Sequence, residues 1–235
     1  MFLAFPEHFT RDTRDYKVQV RDGILYIAKT LNFERLMYDL TFWKYGDDEC
    51  FYCHRKFVGT KMTIDHVYPR KYGGVSVPEN LRPACHKCNS QKGSMNPKEF
   101  EKFRRIKTRK TQEKYKQKCS KRKEKILYRK GFELPDEWIK MVSCSDIIFP
   151  TYCKFTLGEK YKKNMEFIKK YGHVPKPIVI SSNNVILDGR IVKKSAERMG
   201  LEQIPAIILE NVIASIDGNW EKQSKKLNSS GKRAP

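Results

Sequence analysis

The sequence predicts an α+β protein built from two small modules, and three observations carry that expectation. Two C-x-x-C pairs, Cys50/Cys53 and Cys85/Cys88, bracket short extended pieces and the start of a helix. From Lys98 to Lys130 the chain holds 16 Lys and Arg against four Glu, with no Gly or Pro, the pattern of basic helices. Beyond Pro135, β-favouring alternation and helical periodicity return and mark a second α/β module. The 235 residues suffice for one large or two small cores. With 48 Lys and Arg against 27 Asp and Glu, the formal charge of +21 points to a polyanionic partner, nucleic acid or an acidic membrane surface.

Residues 1–49 read as a hairpin and a helix. "YKVQVRDGILYI" places Asp22-Gly23 at a hairpin turn. "LNFERLMYDLTFWKY" then predicts a helix whose Leu31, Leu36, Leu40 and Trp43 pack on the module that follows. The start "MFLAFPEHF" has five apolar residues before Pro6 and no basic leader, so it predicts neither a signal peptide nor a membrane span. No stretch reaches the 18 or so apolar residues of a spanning helix, and a soluble, cytoplasmic protein is expected.

Residues 50–97 form the next module. The seven Cys are an odd number, and four of them fall into the two C-x-x-C pairs, which in a reducing compartment read as a metal site. Four thiolates suit a tetrahedral, structural Zn²⁺. Cys119, Cys144 and Cys153 are dispersed and are read as small hydrophobes. His54 and His86 read as knuckle residues rather than ligands. The interval between the pairs, His54 through Ala84, is 31 residues long. A zinc ribbon leaves roughly 15 to 20 there, so something is inserted. The insert holds "TIDHVYPRKYGG" and "PENLRPA". "KMTIDHV" predicts a strand carrying Asp65 and His66 near its end, "YGG" a loop and "NLRPA" a second strand. "HKCNSQKG" predicts a helix ending by Gly93.

The pattern C-x-x-C, D-H-V-x-P with a following G-G, N-L, and C-x-x-C-N-x-x-K-G resembles the zinc-stapled branch of the HNH (His-Asn-His) endonucleases, whose ββα-metal core cuts phosphodiesters. The resemblance implies that His66 is the general base for the attacking water, a task an imidazole suits near neutral pH. It implies that Asp65 and Asn89 hold a catalytic Mg²⁺ or Mn²⁺, with Asn89 standing where the name-giving members have their last His. Asn80 would brace the loop that positions His66. Arg70, Lys71 and Lys92 are expected phosphate contacts. The implied activity is hydrolysis of DNA to 5′ phosphate and 3′ hydroxyl ends, in a phage or mobile-element setting. A non-catalytic zinc-stapled DNA-binding protein is the alternative, and an RNA-directed nuclease a third reading. A decayed nuclease would have lost one of Asp65, His66 or Asn89, and all three are present.

Residues 98–134 carry Phe100, Phe103 and Ile106, then Tyr115 and Cys119, at helical spacing. These basic helices are expected to contact the DNA backbone through Arg104, Arg105, Lys110 and Lys114. Residues 135–215 place a hairpin at "PIVISSNNVILDGR", a helix at "IVKKSAERMG" and a strand at "IPAIILEN". With the Asp188-Gly189 turn, Gly200 and Ile204-Pro205, this order resembles the ParB/sulfiredoxin-like domains. That family's phosphate-gripping His-Arg falls here on Ile191 and Val192, so the implied role is a DNA or protein contact, with Arg190, Lys193 and Lys194 as the contacting groups. Residues 216–235 read as a disordered tail.

Overall fold

A computed structural model describes residues 3, 5, 9–45, 49–57, 62–120, 136–152 and 156–218. Residues 121–134 of the basic segment, Cys153 and the tail from residue 219 onward lie outside them. The chain divides into two units, one from Met1–Leu36 with Pro135–Pro235 and one from Met37–Leu134. No helix among the described residues is long and apolar enough to cross a membrane.

The first unit begins with β1 (Phe9–Asp12), β2 (Tyr16–Arg21) and β3 (Ile24–Thr30). β2 alternates as the sequence reads, with Tyr16, Val18 and Val20 buried. Asp22 and Gly23 take φ of 50° and 70° between β2 and β3, the pair of left-handed residues that a two-residue primed turn requires. Helix α1 (Phe33–Tyr45) follows, capped by the Asn32 side chain, which accepts from the Arg35 amide at 3.0 Å. Leu36 and Leu40 are buried, but Leu31 and Trp43 are 45% and 42% exposed. Leu31 precedes the cap and so lies outside the helical stripe, and Trp43 falls in the last turn.

The second unit continues with β4 (Met62–His66), β5 (Leu81–Cys85), α2 (His86–Lys92), α3 (Pro97–Arg105) and α4 (Arg109–Ser120). β4 and β5 are antiparallel, from Met62 opposite Cys85 to His66 opposite Leu81, and α2 packs against both. α3 starts with a reciprocal capping box between Asn96 and Glu99, with Pro97 in the first turn. It buries Phe100 and Phe103 against Cys50, Tyr52, Ala84, Cys85, Cys88, Met95 and Cys119. Cys119 is thus a packed core residue, as its spacing from Tyr115 suggested.

The remaining elements belong to the first unit: β6 (Ile139–Ser143), α5 (Glu159–Tyr171), β7 (Ile178–Ser181), β8 (Ile186–Asp188), α6 (Arg190–Arg198), β9 (Gln203–Leu209) and β10 (Val212–Ala214). One sheet has the order β6-β9-β7-β8, with β7 parallel to β9 and the other pairs antiparallel. Ile168 of α5 and Val192 and Ala196 of α6 close its core with Ile178, Ile180, Ile186 and Ile204. The other sheet has the order β1-β2-β3-β10, and β10 runs parallel to β3 with Val212 opposite Leu25. This corrects the expectation that the N-terminal hairpin belongs with the zinc module, because its sheet is completed by β10 of the first unit. Of the three expected contact cations, Lys193 is corrected because it is buried, while the Lys194 side chain stays 44% exposed. Lys193 is 4% exposed, paired with Glu197 and seated 4.6 Å from the Phe149 ring; Lys194 shares both partners, and Arg190 donates to the Thr30 carbonyl.

Gly189 starts α6 at φ 89°, and a Cβ there would lie 2.6 Å from Ile178 Cγ2. Gly200 also has a positive φ, 73°, but a Cβ there would meet nothing within 4 Å. Both Ala variants incur the left-handed backbone cost of about 1–2 kcal/mol. Gly189→Ala adds an overpacking cost of about 1–3 kcal/mol. Thermal or urea unfolding is expected to rank Gly189→Ala well below Gly200→Ala, and equal losses would refute the packing argument.

Candidate active site and metal centre

The four cysteines of the two C-x-x-C pairs meet although they come from opposite ends of the segment. Cys50 and Cys53 lie in a turn closed by the His54 amide donating to the Cys50 carbonyl, with His54 at φ 55°. Cys85 ends β5 and caps α2, its Sγ accepting from the Cys88 amide. All four Sγ atoms lie within 4.8 Å of one another, and Cys53 Sγ is 3.9 Å from Cys85 Sγ. A tetrahedron of zinc–sulfur bonds spaces its sulfurs roughly 3.8 Å apart, so the set has the dimensions of a structural Zn²⁺ site. Its electrostatics ask for a cation. Burial and the neighbouring sulfurs push the Cys88 thiol up. Burial pushes on Cys50 too, but backbone hydrogen bonds at Cys85, Cys53 and Tyr52 bring it down to about 7. His54 and His86 are exposed and stay outside the cluster, as knuckle residues should.

Alternation along β4 turns Asp65 and His66 to opposite faces. Asp65 is 5% exposed, and its Oδ2 accepts from the Tyr52 hydroxyl at 2.5 Å and meets Lys92 Nζ at 2.9 Å. Burial pushes the Asp65 carboxyl up, against the pull of Lys92 and Tyr52. Burial likewise draws Lys92 down, against Asp65. Lys92 was expected to grip phosphate; instead it is fully enclosed and also donates to the His66 carbonyl at 2.7 Å. A buried carboxylate and a buried ammonium each require the other, which is the reason for the correction.

His66 sits on the other face, with Nε2 2.9 Å from Ser76 Oγ and its ring edge-on to Tyr38 at 6.3 Å. Asn80 spans the loop between the strands: its Oδ1 accepts from the Tyr68 amide, and its Nδ2 donates to the carbonyls of Tyr68 and Val75. The G-G pair serves this loop. Gly73 takes φ 92°, and a Cβ on Gly74 would lie 1.9 Å from the Tyr68 carbonyl oxygen. Ser76 went unread in the sequence, since V-S-V carries no motif signal, and Tyr52 was hidden between the two cysteines.

Asn89 lies on α2, against β4. Thr63 Oγ1 donates to the Ala84 carbonyl, so toward Asn89 it can only accept, and Asn89 Nδ2 donates to it at 2.9 Å and toward the Ile64 carbonyl. The amide oxygen is thereby turned away from the strand. Thr63 and Asp65 are two residues apart and share a face, which brings Asn89 to the Asp65 side of β4. Among the described residues no side chain engages Asn89 Oδ1 or Asp65 Oδ1.

The HNH endonuclease family model matches residues 50–95. That HNH segment spans both cysteine pairs, the two strands and α2, so a nuclease or DNA-binding role follows for it, together with a four-cysteine cluster suited to zinc. No curated protein and no solved structure matches the chain. Among the expected nucleic-acid contacts, Arg70 and Lys71 lie exposed in a single helical turn after Pro69. Lys110 and Lys114 are exposed on α4. Arg104 reaches the Tyr52 carbonyl, and Arg105 pairs with Glu101.

Structural zinc supplies about 10 kcal/mol or more of apparent folding free energy in small domains. Cys85→Ser is therefore expected to lose both the metal and the fold of the HNH segment, with metal analysis finding one Zn per wild-type chain. A metal-free, folded Cys85→Ser protein would overturn the assignment.

Proposed function

We propose that the chain is a metal-dependent HNH endonuclease that hydrolyses DNA phosphodiester bonds. The observation that carries this reading is the placement of Asn89 against β4 on the side that Asp65 faces, with no side chain among the described residues engaging Oδ1 of either, and with His66 the next residue of that strand. Two hard oxygen donors fit a hard cation, so Asp65 and Asn89 would hold Mg²⁺ or Mn²⁺. Such an ion supplies charge stabilisation for the phosphate and the leaving 3′ oxygen. The protein's own groups do the rest. His66 takes the proton of the attacking water, Ser76 and Lys92 fix the ring and the backbone that carries it, and Asn80 keeps the loop from shifting it.

The second reading, a non-catalytic DNA-binding protein, has one observation in its favour: His66 is only 9% exposed. Supercoiled plasmid incubated with Mg²⁺ or Mn²⁺ separates the two. His66→Ala is expected to slow cleavage by about 10² to 10⁴ while DNA affinity stays near wild type, because the base is used only in the transition state. Cleavage by that variant at the wild-type rate would refute the role of His66, and an inactive wild type would favour the second reading.

In the first unit we read a ParB/sulfiredoxin-like module, supported by the mixed sheet and by the Asp188-Gly189 turn before α6. The Lys and Arg of α3 and α4 are read as backbone contacts to DNA. Reversing Arg105, Lys110 and Lys114 to Glu is expected to weaken binding to all sequences alike, since phosphate contacts carry no base information. The slope of log K against log salt should become shallower by about 0.9 per duplex phosphate contact removed. Titrations across a salt series test this, and an unchanged slope would return α4 to a solvated helix.

A further inference from the structure

Tyr52 carries no motif signal and Lys92 was expected at phosphate, yet both side chains end on the same oxygen of Asp65. Each comes from one arm of the cysteine clamp. Tyr52 lies between Cys50 and Cys53, is 8% exposed, stacks its ring edge-on against Phe100 at 5.1 Å, and offers its carbonyl to Arg104. Lys92 lies one helical turn after Cys88 on α2 and is fully buried. Both distances to Asp65 Oδ2 are at hydrogen-bonding length, 2.5 Å for the phenol and 2.9 Å for the ammonium. The same ammonium holds the His66 carbonyl at 2.7 Å, so one cation fixes the carboxylate and the backbone of the next residue together.

We propose that Tyr52 and Lys92 are positioning residues that clamp Asp65 Oδ2 and present Asp65 Oδ1 to the catalytic divalent ion. This rests on the nuclease reading above. A carboxylate with both oxygens loose can rotate about its Cβ–Cγ bond, whereas two donors on one oxygen fix the plane and leave a single oxygen for a metal. Hydrogen bonding of a ligating carboxylate by outer groups is a general feature of metal sites, and losing such a partner typically costs about 10- to 100-fold in metal affinity. Simple satisfaction of a buried carboxylate would involve the same contacts, but it predicts an effect on folding alone.

The zinc-loaded full chain is titrated with Mn²⁺, free ion being counted by electron paramagnetic resonance, for wild type, Tyr52→Phe, Lys92→Met and Asp65→Asn. Zinc content and thermal melting are recorded alongside. Tyr52→Phe keeps the ring on Phe100 and removes only the hydroxyl, so it remains informative even where Lys92→Met unfolds. Tyr52→Phe is expected to keep one Zn and raise the Mn²⁺ dissociation constant about 10-fold. Asp65→Asn should lose the site. DNA cleavage by Tyr52→Phe should suffer most at low Mn²⁺, a shift in metal dependence rather than a uniform loss. Wild-type Mn²⁺ affinity in Tyr52→Phe would overturn the proposal and leave the nuclease reading standing. A wild type that binds Mn²⁺ at Asp65 but cuts no DNA would overturn the nuclease reading alone. No Mn²⁺ binding by wild type would overturn both.

Discussion

Four sulfur atoms within 4.8 Å of one another are the constraint on which the HNH segment depends. Two five-residue strands and a seven-residue helix bury too little apolar surface to fold alone, and isolated hairpins are marginal in water. The apolar cluster beneath them is largely made of the cysteines themselves with Tyr52, Met95, Phe100 and Phe103. Metal ligation therefore stands in for a core. The position of each side chain near Asp65 follows from it, because the first knuckle carries Tyr52 and the helix of the second carries Asn89 and Lys92. The cysteine cluster is thereby linked to β4 through these side chains, without any cysteine touching Asp65 directly.

The second face of the strand is organised by a different means. Whereas Asp65 meets the Lys92 ammonium inside the protein, His66 meets the Ser76 hydroxyl and the edge of the Tyr38 ring, beside a loop pinned by Asn80. Alternation along one strand thus gives these two neighbouring side chains different surroundings on opposite faces.

The ββα order was legible because each piece carries local chemistry: β-branched residues in "KMTIDHV", a Gly pair for the close backbone pass, and a cysteine that both ends a strand and caps a helix. The hairpin at Asp22-Gly23 was readable for the same reason. Lys92 was misread because a lysine is exposed by default, and only the placement of Asp65 behind α2 makes this one interior. Lys193 was misread likewise, since Phe149 and Glu197 lie far from it in sequence or on its own helix face. Ser76 and Tyr52 left no trace, being single polar groups whose partners are 10 and 13 residues away. α5 and β10 were missed because a lysine-rich helix with Asn164 and Ile168 as its buried positions and a three-residue strand leave little periodic signal.

The pairing of β3 with β10 has no local signature at all. Parallel neighbours require a crossover, and here the crossover contains the entire HNH segment and much of the first unit. Closure entropy grows only with the logarithm of loop length, so an insertion of this size costs little once it folds by itself. The cysteine clamp supplies that condition, because it ties the second unit internally between residues 50 and 88 rather than through the chain on either side. The same clamp that positions Asp65 therefore also makes it physically permissible for the segment to interrupt another unit's sheet.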